Sequence, residues 1–187
     1  MNAMKYLVAM SLVGASALAG ADTYTVDATS NILVGGTAAA TLTLNAGEAF
    51  SVSVDPLDLW SAGAVPRWSN ANGLVSNLFA TGSDESGQAA GTLIGQDWGM
   101  VTINGFTAPY GALVGQIGNG SLFLVGTQYS GVASSSGILN LYYFDTNGSD
   151  NSNSIMATVT AVPEPASAAL VLAGLGVVGF VGSRRKR

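Results

Sequence analysis

Three oxygen-bearing side chains lie close together in the last third of the chain, and their chemistry suits a hard metal ion. Asp145, Asp150 and Asn151 fall within seven residues, with Gly148 between them. Calcium takes six to eight oxygen ligands from carboxylates, amides and backbone carbonyls, so two carboxylates and one amide form a suitable partial set. Because Asp, Asn, Gly and Ser are also common turn residues, a solvated hairpin loop is the alternative interpretation.

Catalytic chemistry has little support in the sequence. The chain contains no histidine, the commonest general base, and no cysteine. Asp84 and Glu85 are adjacent acids in a Ser- and Gly-rich stretch, which is typical of a solvated loop. We therefore predict that the protein is not an enzyme.

The charge of the central part of the chain restricts its partners. Residues 22–162 carry eight Asp and two Glu against a single base, Arg67, for a net charge of −9. Nucleic-acid binding depends on Lys and Arg side chains that neutralise phosphates. This composition excludes a nucleic-acid partner and favours divalent cations.

Alternation of apolar and small polar residues predicts the elements that position these side chains. It occurs at seven places, with Gly-, Asn- and Ser-rich clusters between them: residues 41–44, 50–54, 100–103, 112–117, 121–125, 138–144 and 155–160. Outside the two chain ends, no window of helical length carries a convincing amphipathic stripe. The pattern predicts an all-β fold over residues 22–161, an antiparallel β-sandwich of the jelly-roll type.

The first residues have the composition of an export signal. Lys5 provides a basic start, residues 6–18 are apolar, and small residues follow at Ala17-Leu18-Ala19 and Ala19-Gly20-Ala21. This order is typical of a secretory signal peptide, which is removed from the mature protein. Residues 1–21 are therefore predicted to direct export.

The other end combines a short apolar segment with a basic cluster. Pro163-Glu164-Pro165 precedes an uncharged apolar run, and Arg184-Arg185-Lys186-Arg187 ends the chain. Counted from residue 166 to 182 the run has 17 residues, about the minimum that spans a hydrocarbon core of ~30 Å. The basic cluster predicts a cytoplasmic end. We predict a transmembrane helix within residues 162–187, with an ordinary tail anchor as the simplest alternative.

This tail resembles the PEP-CTERM sorting signal of bacterial exported proteins. The resemblance rests on Pro163-Glu164-Pro165, the short span and the terminal Arg/Lys group, all in the family's order. It implies an exosortase as partner, a membrane-embedded protease or transpeptidase that cleaves near the triplet. The outer part would then reach the cell surface or the extracellular matrix.

Two later segments resemble the calcium-dependent galactose-binding bacterial lectins, a small jelly-roll family. They are Gly-Ala-Leu-Val at residues 111–114 and the acidic loop that follows residues 139–144. The resemblance implies that Asp145 and the Asp150-Asn151 pair hold calcium. Two backbone carbonyls, from near Trp60 and from Ser149, would complete the protein's share, and sugar hydroxyls would fill the remaining positions.

The chain departs from these lectins at the contacts with the sugar. The lectins use a histidine and a glutamine from another loop, and this chain has no histidine. Asp97 and Trp98 lie in roughly the corresponding region, where the Trp98 ring could stack on a sugar face. Galactose specificity is therefore not expected.

Two functional hypotheses follow for this exported protein. One is a calcium-dependent, lectin-like module that binds cell-surface or matrix polysaccharide. The other is a non-enzymatic structural protein of the matrix with no specific ligand. They differ in whether the oxygens of Asp145, Asp150 and Asn151 converge on one ion.

Overall fold

The computed structural model describes residues 20–162, and this part of the chain is built from strands. The predicted signal peptide lies almost wholly outside the described residues, as do Pro163-Glu164-Pro165 and the predicted transmembrane helix. Within residues 20–162, no helix is long and apolar enough to cross a membrane.

Fourteen strands follow one another between Gly20 and Val162. In chain order they are β1 (Gly20–Asp27), β2 (Ala39–Leu44), β3 (Ala49–Val54), β4 (Trp60–Ser61), β5 (Trp68–Ser69), β6 (Leu78–Phe79), β7 (Leu93–Gly95), β8 (Met100–Ile103), β9 (Phe106–Pro109), β10 (Leu113–Ile117), β11 (Leu122–Leu124), β12 (Gln128–Val132), β13 (Gly137–Tyr143) and β14 (Ser154–Val162).

Two four-stranded antiparallel sheets form the body of the domain. The first, sheet A, has the order β1-β14-β3-β12, and the second, sheet B, has the order β11-β10-β13-β2. Three short two-stranded pairs complete the described structure: β4 with β5, β6 with β7, and β8 with β9. The chain passes from the centre of sheet B to the centre of sheet A through the loop between β13 and β14.

The main core lies between the two sheets because alternate side chains of each strand point the same way. Val52 and Val159 of sheet A and Leu139 and Leu141 of sheet B are fully buried in one cluster. Polar Ser53 lies on the other, exposed face of β3. Burial of each large aliphatic side chain contributes about 1.5–3 kcal/mol, so this alternation both selects the strands and holds the sheets together.

A second, smaller core covers part of the outer face of sheet B. The β8–β9 hairpin packs there, burying Val114 of β10 together with Ile103, Ala108 and Phe144. Because β10 is covered on both faces, its sequence is apolar almost throughout, unlike the alternating strand β3.

The structure confirms the predicted antiparallel all-β sandwich. All seven segments with period-two alternation contain strands, namely β2, β3, β8, β10, β11, β13 and β14. The other seven strands, β1, β4, β5, β6, β7, β9 and β12, had no sequence prediction. Strand β1 begins at Gly20, inside the range assigned to the signal peptide, and β12 carries Gly131, which weakens a strand pattern.

Candidate functional site

The loop between β13 and β14 starts with a buried carboxylate. Asp145 follows the buried aromatic end of β13 and is 0% exposed. Its Oδ1 atom accepts hydrogen bonds from the Tyr110 hydroxyl, the Thr146 N–H and the Asn147 N–H, the last at 3.0 Å. These bonds form because a carboxylate readily caps the backbone N–H groups that follow it in a turn. One oxygen of Asp145 is thereby fully used to shape the loop.

Two other oxygens of the same loop are buried without a hydrogen bond from any described residue. They are Asp145 Oδ2 and Asn151 Oδ1. The Asn151 side chain is fixed because its Nδ2 donates to the Ala28 carbonyl at 2.8 Å. Buried polar atoms are nearly always paired, and leaving one unpaired costs about 1–3 kcal/mol. A bound ligand with positive charge or a hydrogen-bond donor would remove this cost.

The second carboxylate of the loop lies at the surface and is already paired. Asp150 Oδ2 lies 2.9 Å from the Arg67 Nη2 atom, with the two side chains 41% and 26% exposed. Asp150 Oδ1 accepts a hydrogen bond from Asn147 Nδ2 at 3.0 Å. The ion pair fits because Gly63, at φ 124°, has no side chain: a Cβ there would lie 2.7 Å from Asp150 Oδ2. Arg67, the only basic residue within residues 22–162, therefore lies at the edge of the candidate site.

Two aromatic rings connect this loop with the loop after β7. Trp98 is half exposed and stacks on Tyr110, with ring centroids 5.9 Å apart and an interplanar angle of 14°. The Arg67 guanidinium carbon lies 5.8 Å from the Trp98 ring centroid. Burial, together with the hydrogen bond to Asp145, raises the pKa of Tyr110 far above its ordinary value. Its hydroxyl therefore stays protonated and remains a donor to Asp145.

Two further buried hydroxyls lie in this part of the domain. Tyr143 Oη and Ser69 Oγ accept and donate no hydrogen bond within residues 20–162. Both are near Gly111, where a Cβ would lie 2.9 Å from Tyr143 Oη and 3.6 Å from Ser69 Oγ. Burial, followed by the charge of Asp145, raises the pKa of Tyr143. The buried polar groups near Asp145 therefore include two neutral hydroxyls, those of Tyr143 and Ser69, which the sequence pattern did not indicate.

The other predicted site residues, Trp60, Ser149 and Asp97, each make contacts outside the pair of buried oxygens. Trp60 is 0% exposed, and its ring meets Tyr143 edge to face at 4.4 Å. The Ser149 N–H and hydroxyl both donate to Asn147 Oδ1, at 3.2 Å and 2.8 Å. Asp97 is exposed, and its Oδ1 accepts the Gly99 N–H at 2.7 Å. The backbone carbonyls of Trp60 and Ser149 stay predicted ligands, and the sugar contact of Asp97 stays a prediction.

Acidic side chains alone do not make a metal site in the part of the chain that the structure describes. Across residues 20–162, no three Asp, Glu, His or Cys side chains cluster in a way that could hold a metal ion. Any ion near Asp145 must therefore also be held by amide and backbone oxygens. Tyr110 and Gly63 contribute to the site's shape, although neither has a residue type or spacing that identifies it in sequence.

The chain continues directly from β14 into a segment with a recognisable motif. Pro163 directly follows the last residue of that strand, Val162. The chain's C-terminal segment matches the PEP-CTERM protein-sorting motif. The match covers residues 161–186 and indicates an exported protein with a membrane-anchored precursor, which an exosortase sorts to the cell surface.

Several solved structures are similar to this chain. One of them is described as the EclA N-terminal domain, a PllA-like lectin, with a TM-score of 0.47 and 19% sequence identity. The alignment covers 74% of this chain and 94% of that one. No curated protein matches the sequence.

Proposed function

We propose that this exported protein is a calcium-dependent carbohydrate-binding module that acts at the cell surface or in the extracellular polysaccharide matrix. The observation that carries the proposal is the pair of buried oxygens, Asp145 Oδ2 and Asn151 Oδ1. They belong to one loop, and none of the described residues satisfies them with a hydrogen bond.

Calcium fits these oxygens better than a simple hydrogen-bond donor does. A hard divalent cation prefers carboxylate and amide oxygens, and it offsets the cost of burying the Asp145 charge. Asp145, Asp150 and Asn151 would hold it, with the carbonyls of Ser149 and of a residue near Trp60 as further proposed ligands. A calcium ion bound here would offer open coordination positions to vicinal sugar hydroxyls.

The rim next to this loop supplies groups suited to a sugar. Trp98 is 47% exposed while Tyr110 lies against its ring, so part of the indole remains available for stacking on the apolar face of a sugar. Asp97 is exposed beside it and can accept hydrogen bonds from hydroxyl groups. Specificity for galactose is not part of the proposal, because the lectin histidine has no counterpart.

A second candidate function is a structural matrix protein with no specific ligand. The ion pair of Arg67 with Asp150 at 2.9 Å favours it, because Arg67 satisfies one of the loop's two carboxylates without a metal. In this case the charges of the loop would only stabilise the connection between the two sheets.

Glycan binding by the full-length chain in detergent, with calcium and with a chelator, tests the proposal. We expect binding to at least one glycan to require calcium and to be lost in Asp145→Asn. Asp22→Asn is the matched control, because Asp22 is an exposed acid in strand β1. If neither the chelator nor Asp145→Asn changes binding to any glycan, the calcium-dependent mechanism is wrong.

A further inference from the structure

A cavity on the outer face of sheet B has no role in the calcium proposal. Its volume is about 460 Å³, within the range of 300–1,000 Å³ that is usual for small-molecule sites. Strands β10, β11 and β13 and the β8–β9 hairpin form its walls. None of the residues of the candidate calcium loop lines it.

The register of sheet B places the floor of this cavity. Gln116 of β10 is paired with Leu122 of β11, and two residues earlier Val114 is paired with Tyr142 of β13. Side chains two residues apart on a strand share a face. Gln116, Leu122 and Tyr142 therefore lie on the outer face, beside the part that the hairpin covers.

The β8–β9 hairpin forms the opposite wall and is held firmly. Phe106 packs edge to face on Phe144, with ring centroids 5.8 Å apart and an interplanar angle of 88°. The turn is tight because Asn104 and Gly105 both have positive φ, 52° and 79°, which suits an Asn-Gly pair. This turn places the Asn104 residue at the cavity wall.

The lining is polar but carries no charge. Among the residues around the cavity are two amides, Asn104 and Gln116, and two hydroxyls, Ser121 and Tyr142, beside the apolar Phe106. Gln116 Nε2 donates a hydrogen bond to the Gly120 carbonyl at 2.8 Å. This bond orients the amide, so that Gln116 Oε1 is the acceptor at its other end. Neutral donors and acceptors around an aromatic ring suit a ligand rich in hydroxyl groups. They provide no positive charge to pair with an anionic ligand, and residues 22–162 already carry a net charge of −9.

We propose that this cavity is a second binding site, for a neutral sugar residue of a polysaccharide, and that it needs no metal. The assignment goes beyond the calcium-dependent site and does not depend on it. Two independent sites on one displayed domain would hold a polysaccharide by avidity or link two chains of it. A matrix protein would gain cohesion in this way even if each site bound weakly.

The test uses the full-length chain in detergent, with the Asp145→Asn change and a chelator present throughout to exclude the calcium site. Uncharged hexasaccharides of glucose, mannose and galactose are the probes, with an oligogalacturonate of equal length for comparison. We expect at least one neutral hexasaccharide to bind, and the oligogalacturonate to bind at least tenfold more weakly, by titration calorimetry.

Two variants locate that binding in the cavity. Ser121→Trp should fill the opening and weaken binding of the neutral hexasaccharide at least tenfold, whereas Ser134→Trp, at another exposed serine, should leave it unchanged. Gln116→Leu keeps the side-chain volume and should also weaken binding, which guards against a folding defect in Ser121→Trp. The proposal is overturned if no neutral hexasaccharide binds, if Ser121→Trp binds as the control does, or if the oligogalacturonate binds equally well.

These results are separable from those on the calcium site. Loss of the calcium-dependent signal in Asp145→Asn alone would concern the loop between β13 and β14. Loss in Ser121→Trp alone would concern the cavity on sheet B.

Discussion

Gly20 is paired with Ala161 across the neighbouring antiparallel strands β1 and β14. The first and last parts of the described domain therefore lie side by side at one end of sheet A. Strand β14 lies between β1 and β3, and its last residue, Val162, is paired with Ala49 of β3. The segment that matches the sorting motif, residues 161–186, thus overlaps the last two residues of this central strand, with no linker between them.

We expect this boundary to limit where the precursor is cut. Cleavage before Val162 would require β14 to separate from both of its neighbours, since a protease needs an extended, accessible peptide. The intact mass of the mature protein should therefore place its C-terminus at residue 162 or beyond. A C-terminus within residues 154–161 would contradict this expectation.

Changing Pro163-Glu164-Pro165 to alanines should leave export of the precursor intact but stop its shortening.

Calcium should stabilise the fold if it binds only the native loop. A ligand present at a hundredfold excess over its Kd stabilises the native state by ~2.7 kcal/mol. We expect calcium to raise the melting temperature of the full-length chain, and Asp145→Asn to remove that rise, as measured by thermal unfolding. An equal rise in Asp145→Asn would point to diffuse screening of the negative charge, and Asp22→Asn should respond as the wild type does.

Arg67 should compete with calcium for Asp150. Its guanidinium lies 2.9 Å from Asp150 Oδ2, so a cation that takes this oxygen must displace or share the ion pair. Arg67→Gln removes the competing charge and should lower the Kd for calcium several-fold, while Arg67→Lys should stay close to the wild type. Calorimetric titration with calcium measures both. Weaker binding in Arg67→Gln would mean that Arg67 positions Asp150 for the ion instead of competing for it.

Asp84 should titrate in an unusually acidic range. Hydrogen bonds from the Ser86 hydroxyl and then from the Thr81 N–H lower the pKa of its carboxyl from 3.8 to about 2. The pKa of Asp84 is lower in the folded state than in the unfolded one. The ionised Asp84 therefore stabilises the fold above pH 3.8, and this stabilisation is lost as the pH falls through about 2. An NMR titration should give this midpoint, and Ser86→Ala should raise it towards 3.8. An unchanged midpoint in Ser86→Ala would show that the hydroxyl is not the cause.

The fold was predictable to the extent that burial is local. In β3, the alternation of Phe50, Val52 and Val54 with serines depends only on which face of the strand is buried. The same logic failed for β12, where Tyr129 packs on Phe50 and Phe123 but Gly131 interrupts the pattern. The packing that makes β12 a strand comes from partners far away in sequence.

By itself, the sequence determined the export route, the acidic charge and the all-β class, because these depend on composition and on short periodic patterns. It also located the loop from Asp145 to Asn151. Only the tertiary structure decided which oxygens of this loop have no hydrogen-bond partner among the described residues. Tyr110 reaches Asp145 across 35 residues, and Ala28 fixes the Asn151 amide across 123. Such contacts arise when two sheets close on each other, so the state of each oxygen is a property of the folded domain.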